Sequence, residues 1–438
     1  MSTLLYSRIF PLTTAVNTAD RLEIGGCDVA DLVREFGSPL YVFDQATLQA
    51  QVNGFVNAFQ SRYPNSRVVY ACKAFINVGL ARYLASLEIG FDVVSGGELA
   101  VLRAADVDLS TVDFHGNNKT PEEIRQAVEW GVGHFVVDSF HELQVLDHVA
   151  STAGRKQSVL VRVSPSIDPH THRLTTTGVL DSKFGFPIET GQAEQAIRDV
   201  INADHLELQG LHFHLGSPIF ELEPYTEATE RVLRFAAQMR EYGLDLRRFS
   251  PGGGFAIAYT EADNPPTPDD YAQAIVGALQ DGCQANGLIE PELTVEPGRS
   301  IAGPAGVAIY TVGSIKEIPG VRTYVAVDGG MGDNIRPALY GSQYVALAAS
   351  HATRPATQTV TIAGKYCESG DVLVTDASLA RVEADDLIAI PASGAYAPSM
   401  ASDYNLNGRP AIVMVASGQA SLIRRRESYQ DMMSLDVV

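Results

Sequence analysis

Val68-Val69-Tyr70-Ala71-Cys72-Lys73-Ala74 is an apolar run that stops at a lysine, with Phe75 and Ile76 close behind and a helical pattern beginning near Val78. The run reads as a β-strand whose pattern stops just before Lys73. A lysine in largely apolar surroundings is one whose ammonium form is disfavoured, which yields the nucleophilic amine that imine-forming lysines need. The plainer alternative is a lysine that only snorkels from a strand end. The rest of the chain decides between them.

Working outward, residues from about 45 to 300 alternate between short β-rich runs and amphipathic helical stretches. The spacing predicts strands at Arg67–Tyr70, Gly90–Val94, Val112–His115, His134–Val137, Val159–Val163, Leu208–Phe213, Arg248–Pro251 and Leu293–Glu296. Helices are predicted over Val78–Leu87, Glu98–Ala105, Pro121–Trp130, Phe140–Ala150, Thr190–Asn202, Tyr225–Tyr242 and Pro268–Asn286. Thr120-Pro121-Glu122-Glu123 is a well-marked helix start: a capping hydroxyl, a first-turn proline and two acids at the positive end of the dipole. Strands alternating with helices in this way imply a (β/α)8 barrel of the TIM type, with its active site at the C-terminal strand ends. Beyond about 300, β-rich runs dominate (Ala305–Val312, Thr323–Val327, Gln358–Ile362, Leu387–Ile390, Ala411–Val415). They read as a second, mostly antiparallel β domain. The expected division is residues 45–300 for the barrel and 1–44 plus 301–438 for the β domain.

A chain of 438 residues is long enough for two such domains, and 45% apolar with 19% charged residues is the balance of a globular protein. The formal net charge of −20 argues against nucleic acid or an anionic membrane as partner. The basic cluster Arg424-Arg425-Arg426 is short, is followed by Glu427, and reads as a solvated or interface face. No stretch reaches the apolar length of a bilayer span, and Met1–Leu12 lacks the apolar core of a leader, so a cytoplasmic location is expected. The four cysteines, Cys27, Cys72, Cys283 and Cys367, form no Cys-x-x-Cys pair and predict neither a disulfide framework nor a zinc site.

Polar and glycine-rich residues gather at nearly every predicted strand end: Lys73, Ser95-Gly96-Gly97-Glu98, His115-Gly116-Asn117-Asn118, Asp138-Ser139, Arg162, His214-Leu215-Gly216-Ser217, Gly252-Gly253-Gly254 and Glu296-Pro297-Gly298-Arg299. The glycine triplet is either a tight turn or a set of amide groups lining an anion site, which Gly216 and Ser217 on the preceding strand end could share. Glu296 could pair with a protonated ring nitrogen and Arg299 could grip a phosphate or carboxylate; alternatively the two pair with each other. His212 and His214 point to the same face of one strand. No acid or cysteine nearby in sequence completes a metal set, so no metal is expected. His212 reads as a satisfied core histidine and His214 as a ring stacked on a planar cofactor.

A covalent lysine, a phosphate cradle and a carboxylate for a ring nitrogen together describe pyridoxal phosphate. Here the chain resembles the diaminopimelate decarboxylases, within the alanine-racemase-like, fold type III class of pyridoxal-phosphate enzymes. The resemblance runs through Tyr-Ala-x-Lys-Ala at 70–74, Phe-Asp-Val-Val-Ser-Gly-Gly-Glu-Leu at 91–99, His-Gly-Asn-Asn-Lys at 115–119, Asp-Pro-His-Thr-His at 168–172 and Ser-Lys-Phe-Gly at 182–185. It continues through His-x-Gly-Ser at 214–217, Gly-Gly-Gly-Phe at 252–255, Glu-Pro-Gly-Arg at 296–299, Asp-Gly-Gly-Met at 328–331 and Arg-Pro-Ala-Leu-Tyr at 336–340. Cys-Glu-Ser-Gly-Asp at 367–371, Gly-Ala-Tyr at 394–396 and Tyr-Asn at 404–405 complete it.

The resemblance implies decarboxylation of meso-2,6-diaminopimelate to L-lysine and carbon dioxide by a homodimer with shared active sites. Its alternative is a decarboxylase of the same fold acting on carboxynorspermidine, ornithine or arginine. By resemblance Lys73 holds the cofactor, His214 stacks on its ring and Glu296 faces its nitrogen. Ser217, Gly252, Gly253, Gly254, Pro297, Gly298, Arg299 and Tyr396 match the phosphate surroundings, and Asp92 and Arg162 support the ring. Arg299, Arg336, Tyr340, Glu368 and Tyr396 match substrate contacts, and Cys367 matches a proton donor supplied to the partner subunit's site. Without the resemblance, Cys367 reads as an ordinary buried thiol. One departure stands out: Pro218 follows Ser217 where the family usually has glutamine, removing a side chain and a backbone donor.

Overall fold

The computed structural model of the chain describes residues 6–168 and 176–437. Its contacts divide into two compact units: Val52–Ala256 with Pro265–Gly298, and the described residues of Met1–Gln51, Ile257–Asn264 and Arg299–Val438.

The first unit is a closed barrel. Its strands are β1 (Ser66–Ala71), β2 (Gly90–Val93), β3 (Val112–Phe114), β4 (His134–Val137), β5 (Gln157–Ser164), β6 (Leu206–His212), β7 (Arg248–Gly252) and β8 (Glu292–Val295). Each pairs in parallel with the next, and β8 closes onto β1 through Val295 opposite Val68. Helices α1 (Val78–Ala85), α2 (Gly96–Ala104), α3 (Pro121–Trp130), α4 (Phe140–Thr152), α5 (Gln192–Asn202), α6 (Glu223–Met239) and α7 (Pro268–Asn286) alternate with the strands. Local chemistry sets their starts. Thr120 and Glu123 form a complete capping box on α3, as do Thr267 and Asp270 on α7, while Asn77, Ser95 and Ser139 cap α1, α2 and α4. Replacing such a cap by alanine costs about 1 kcal/mol.

Near the strand beginnings the barrel interior holds a charged network. Arg248 Nη1 and Nη2 each lie 3.3 Å from Asp113, His134 Nδ1 lies 3.1 Å from the same carboxylate, and Arg248 also donates to Thr294 at 3.1 Å. Burial raises the Asp113 carboxyl, but Arg248 and His134 outweigh it and hold its pKa below the usual range.

The second unit is organised on a nine-stranded sheet. Gly306–Ile318 pairs antiparallel with Arg322–Val327, with Leu387–Ile390 and with Leu40–Asp44. Two pairings are parallel, Leu40–Asp44 with Ala411–Ala416 and Arg322–Val327 with Gln358–Ala363, so the sheet is mixed. Leu40, Val42 and Phe43 are wholly buried, which is why a segment so early in the chain takes a central place. Strands Val372–Leu379 and Gln419–Arg424 were not expected. They sit at the two ends of the sheet order, and an edge strand carries polar residues on its open side, which blurs the alternation. Among the described residues no helix is long and apolar enough to cross a membrane.

Candidate active site

After β1 the chain turns through a single 3-10 turn, Cys72–Ala74. The Ala71 N–H donates to Pro297 O at 3.2 Å, and a Cβ on Gly298 would stand 2.9 Å from the Ala71 Cβ. The Pro297-Gly298 turn therefore presses on the backbone that carries Lys73, and only glycine leaves the room. Lys73 lines a cavity of about 340 Å³ with Val94, His115, Gly116, Asn117, Arg162, Thr177, Phe184, His212, His214 and Glu296. Side chains from β5 and β6, from the turn after β1 and from the loops after β3 and β8 thus meet at one end of the barrel, where the sequence puts them.

Glu296 is buried and closely held. Ser250 Oγ donates to it at 2.7 Å, and His212 Nε2 lies 3.2 Å from each carboxylate oxygen. His115 Nε2 lies 3.7 Å away, and the two imidazoles meet edge to face at 4.8 Å. Burial pushes the Glu296 carboxyl up, but the His212 and His115 rings and the bonds from His212 and Ser250 outweigh it and hold its pKa well below the usual range. Burial pulls His115 down to about 3 against the attraction of Glu296, so that ring is neutral. This corrects the expectation that nothing completes a set around His212: His115, His212 and Glu296 bring donor atoms within 4.8 Å of one another. Positions 115, 212 and 296 are too far apart in sequence for their meeting to be read there. His212 is not a passive core residue, because it holds the carboxylate.

His214 accepts the Gly253 N–H through Nδ1 at 3.2 Å. Burial, then the charges of Lys73 and Arg162, keep its pKa well below the usual value, so it is a neutral ring. The glycine triplet is required by space: a Cβ on Gly252 would lie 2.7 Å from His214 Nδ1, one on Gly253 2.1 Å from Glu296 O, and one on Gly254 2.3 Å from Gly216 O. Tyr225 OH donates to Gly253 O at 2.8 Å and Ile219 N to Gly254 O at 2.8 Å, lacing the triplet to the loop that carries Ser217. Pro218 leaves that connection intact. Asp92 is buried, and neither carboxylate oxygen has a hydrogen-bond partner among the described residues. Burial raises its pKa well above the usual value, against the pull of Lys73. Arg162 lies 3.5 Å from Asp138 and stacks on Phe184 at 4.5 Å.

Several strand-end polar residues prove to build loops instead. Ser95 and Ser139 are helix caps, Glu98 accepts the Val94 N–H at 2.7 Å, and Gly96-Gly97 opens a helix. Lys119 is buried, donating to Gly116 O, Val136 O and Glu142 at 3.0, 2.8 and 2.7 Å. Residues 169–172 of the Asp-Pro-His-Thr-His motif lie outside the described residues.

The other unit carries the remaining candidates. Arg299 donates to Tyr259 OH at 2.7 Å and stacks on Tyr396 at 4.7 Å. Arg336 donates to Tyr344 OH and stacks on Tyr259 at 4.7 Å. Tyr259 and Tyr344 carry no motif and were not expected. Tyr340 ends the helix Arg336–Tyr340 and is half-buried. Cys367 and Glu368 are exposed, which corrects the buried-thiol reading of Cys367; Cys27, Cys72 and Cys283 are the buried ones.

A parallel barrel that gathers a lysine, a neutral imidazole, an ionised buried carboxylate and a glycine turn at its strand ends defines a barrel enzyme of pyridoxal chemistry. Residues 49–303 match the family model for the pyridoxal binding domain of pyridoxal-dependent decarboxylases. The chain is 44% identical over 426 residues to the diaminopimelate decarboxylase of Bacillus subtilis, covering 97% of each. The crystal structure of diaminopimelate decarboxylase from M. jannaschii in complex with L-lysine superposes with a TM-score of 0.91 at 35% identity, covering 98% of each chain. The enzyme from Helicobacter pylori, also complexed with L-lysine, gives 0.84 at 32% identity, covering 93% of this chain and 99% of that one. The chain belongs to the diaminopimelate decarboxylase family.

Proposed function

We propose that this chain decarboxylates meso-2,6-diaminopimelate to L-lysine and carbon dioxide with pyridoxal phosphate held on Lys73. The observation that carries the reading is the ionised Glu296 carboxylate facing the same cavity as Lys73. Pyridoxal phosphate, when bound, supplies the electron sink that takes up the pair left as carbon dioxide departs. Glu296 would keep a proton on the ring nitrogen, since Ser250 and His212 hold its carboxylate ionised. The neutral His214 ring would stack on the cofactor, and Arg162 and Asp92 would support its ring. The N–H groups of Gly254 and Gly298, with Ser217, Arg299 and Tyr396, would take the phosphate, while Gly252 and Gly253, whose N–H groups go to Ser250 and His214, would leave room for it.

The distal end of diaminopimelate bears a carboxylate and an ammonium. Arg336 and Arg299, with Tyr340, take the first bidentately and Glu368 takes the second. Cys367 Sγ gives the proton that replaces the lost carboxylate, acting in the site of a second copy. Its exposure supports that role, since a thiol serving a partner must reach out of its own unit. On this reading the working form is a homodimer, acting in the cytoplasm.

The test is carbon dioxide release by the cofactor-loaded protein on meso-diaminopimelate, beside L-ornithine, L-lysine, L-arginine and carboxynorspermidine. Release from diaminopimelate alone, with L-lysine as product, is expected. Release only from a substrate without a distal carboxylate would overturn the assignment of Arg299 and Arg336.

A further inference from the structure

In the unit that contains Arg299–Val438, two guanidinium groups converge on one phenol. Arg299 and Arg336 are 7% and 4% exposed, and Tyr259 between them is 9% exposed. Arg299 Nη1 donates to the Tyr259 hydroxyl at 2.7 Å, the Arg336 guanidinium lies 4.7 Å from the Tyr259 ring centre, and Tyr344 meets Tyr259 edge-on at 5.3 Å. Apart from burial, the groups that act on the Arg336 charge are the tyrosines Tyr259, Tyr344 and Tyr396. Burying a guanidinium is costly, and hydrogen bonds and ring contacts from phenols offset only part of that cost. A pair of guanidiniums held together in this way favours a ligand that brings a carboxylate.

We propose that Tyr259 is a positioning residue: its hydroxyl anchors Arg299 and its ring face seats Arg336, setting the two guanidiniums as one receptor for the distal carboxylate of the substrate. The proposal rests on the substrate reading above and adds the residue that makes the pair specific. Tyr259 follows the glycine triplet within a few residues, yet the segment Ile257–Asn264 groups with the arginines' unit and not with the barrel. A short piece of chain leaving the barrel thus sets the spacing of the two cations. The contribution is geometric, since either arginine alone can donate to a carboxylate, but a fixed pair sets where that carboxylate sits. Burial raises the Tyr259 hydroxyl, but the charges of Arg299 and Arg336 and their hydrogen bonds bring its pKa below the usual phenol value, which strengthens it as their acceptor.

The measurement is calorimetric binding of L-lysine and of cadaverine to the cofactor-loaded full chain, before and after Tyr259→Phe. Cadaverine is L-lysine without the carboxylate, so the pair isolates the receptor. Losing a hydrogen bond to a charged group predicts that Tyr259→Phe weakens L-lysine about tenfold. Cadaverine affinity is expected to move less than about twofold, because the ring remains. Equal weakening of both ligands would make Tyr259 a packing residue and overturn the proposal, as would an unchanged affinity for L-lysine, or a wild-type protein that does not distinguish the two. Should Tyr259→Phe fail to fold, Tyr344→Phe, which frees only Arg336, is expected to cost several-fold on L-lysine alone, and no selective loss there would overturn it equally. Calorimetry needs no turnover, so a protein that binds L-lysine selectively but releases no carbon dioxide from diaminopimelate would sink the activity and leave the receptor standing.

Discussion

Replacing Glu296 by glutamine removes one charge while keeping the shape of the side chain. In the folded protein the carboxylate accepts from Ser250 at 2.7 Å and from His212 at 3.2 Å. An amide can accept through one oxygen only, so its NH2 must face a former donor. His212 can absorb this, because its Nδ1 has no partner among the described residues and the ring can exchange tautomers at little cost. The fold should therefore survive, and the loss falls on the ring nitrogen of the cofactor. A hydrogen bond to a charged group contributes about 1.5–3 kcal/mol, which is about 10- to 150-fold in kcat/KM. The assay is carbon dioxide release with saturating cofactor, accompanied by cofactor titration and a thermal melt. A variant that keeps its full rate would refute the role given to the carboxylate, and a collapsed melt would show that Glu296 serves the fold first. Stability adds a second check. The folded pKa of Glu296 lies below its unfolded value of about 4.3, so its contribution is present above that pH and is lost as pH falls through the folded pKa. The stability gap between wild type and E296Q, measured without cofactor, is expected to close in acid.

A methyl group on Gly253 would meet the Glu296 carbonyl at 2.1 Å, backbone against backbone, so Gly253→Ala is expected to cost about 1–3 kcal/mol and to release cofactor on gel filtration. Gly277→Ala in α7, where an added Cβ meets nothing within 4 Å, is the contrast and should stabilise by up to about 1 kcal/mol on urea denaturation. Asp333, buried among Tyr41, Tyr310 and Tyr366, has its carboxyl pushed up to about 7 by burial, in spite of bonds from Tyr310 and Gly330. A carboxyl raised in the fold weakens the protein as pH rises from the unfolded value toward the folded one, here by roughly 4 kcal/mol between about pH 4 and 7. Melting midpoints across that window should fall in wild type and stay flatter in D333N; parallel profiles would contradict this.

The parts of the fold that sequence reveals are those set by neighbours in the chain. Val68–Tyr70 ends in Lys73 because an apolar run is followed at once by the 3-10 turn and the Asn77 cap, all within ten residues. Thr120 and Thr267 announce their helices through capping boxes that close over three residues. The glycine triplet and Glu-Pro-Gly-Arg carry their meaning locally too, since close backbone approach demands glycine whatever surrounds it. Legibility fell where local chemistry serves two ends: Ser95 and Ser139 look like site residues because they stand at strand ends, yet each is spent on a helix cap.

By itself, then, the sequence determined the succession of strands and helices, the lysine, the glycine turn and the carboxylate, through periodicity and turn chemistry that act over a few residues. Only the tertiary structure decided that His115, His212 and Glu296 form one cluster, that Tyr259 stands between Arg299 and Arg336, that Leu40–Asp44 lies in the middle of a mixed sheet, and that Cys367 is exposed. Those relations join residues tens to hundreds of positions apart. They depend on which faces barrel closure and sheet pairing bring together, and no local pattern records that.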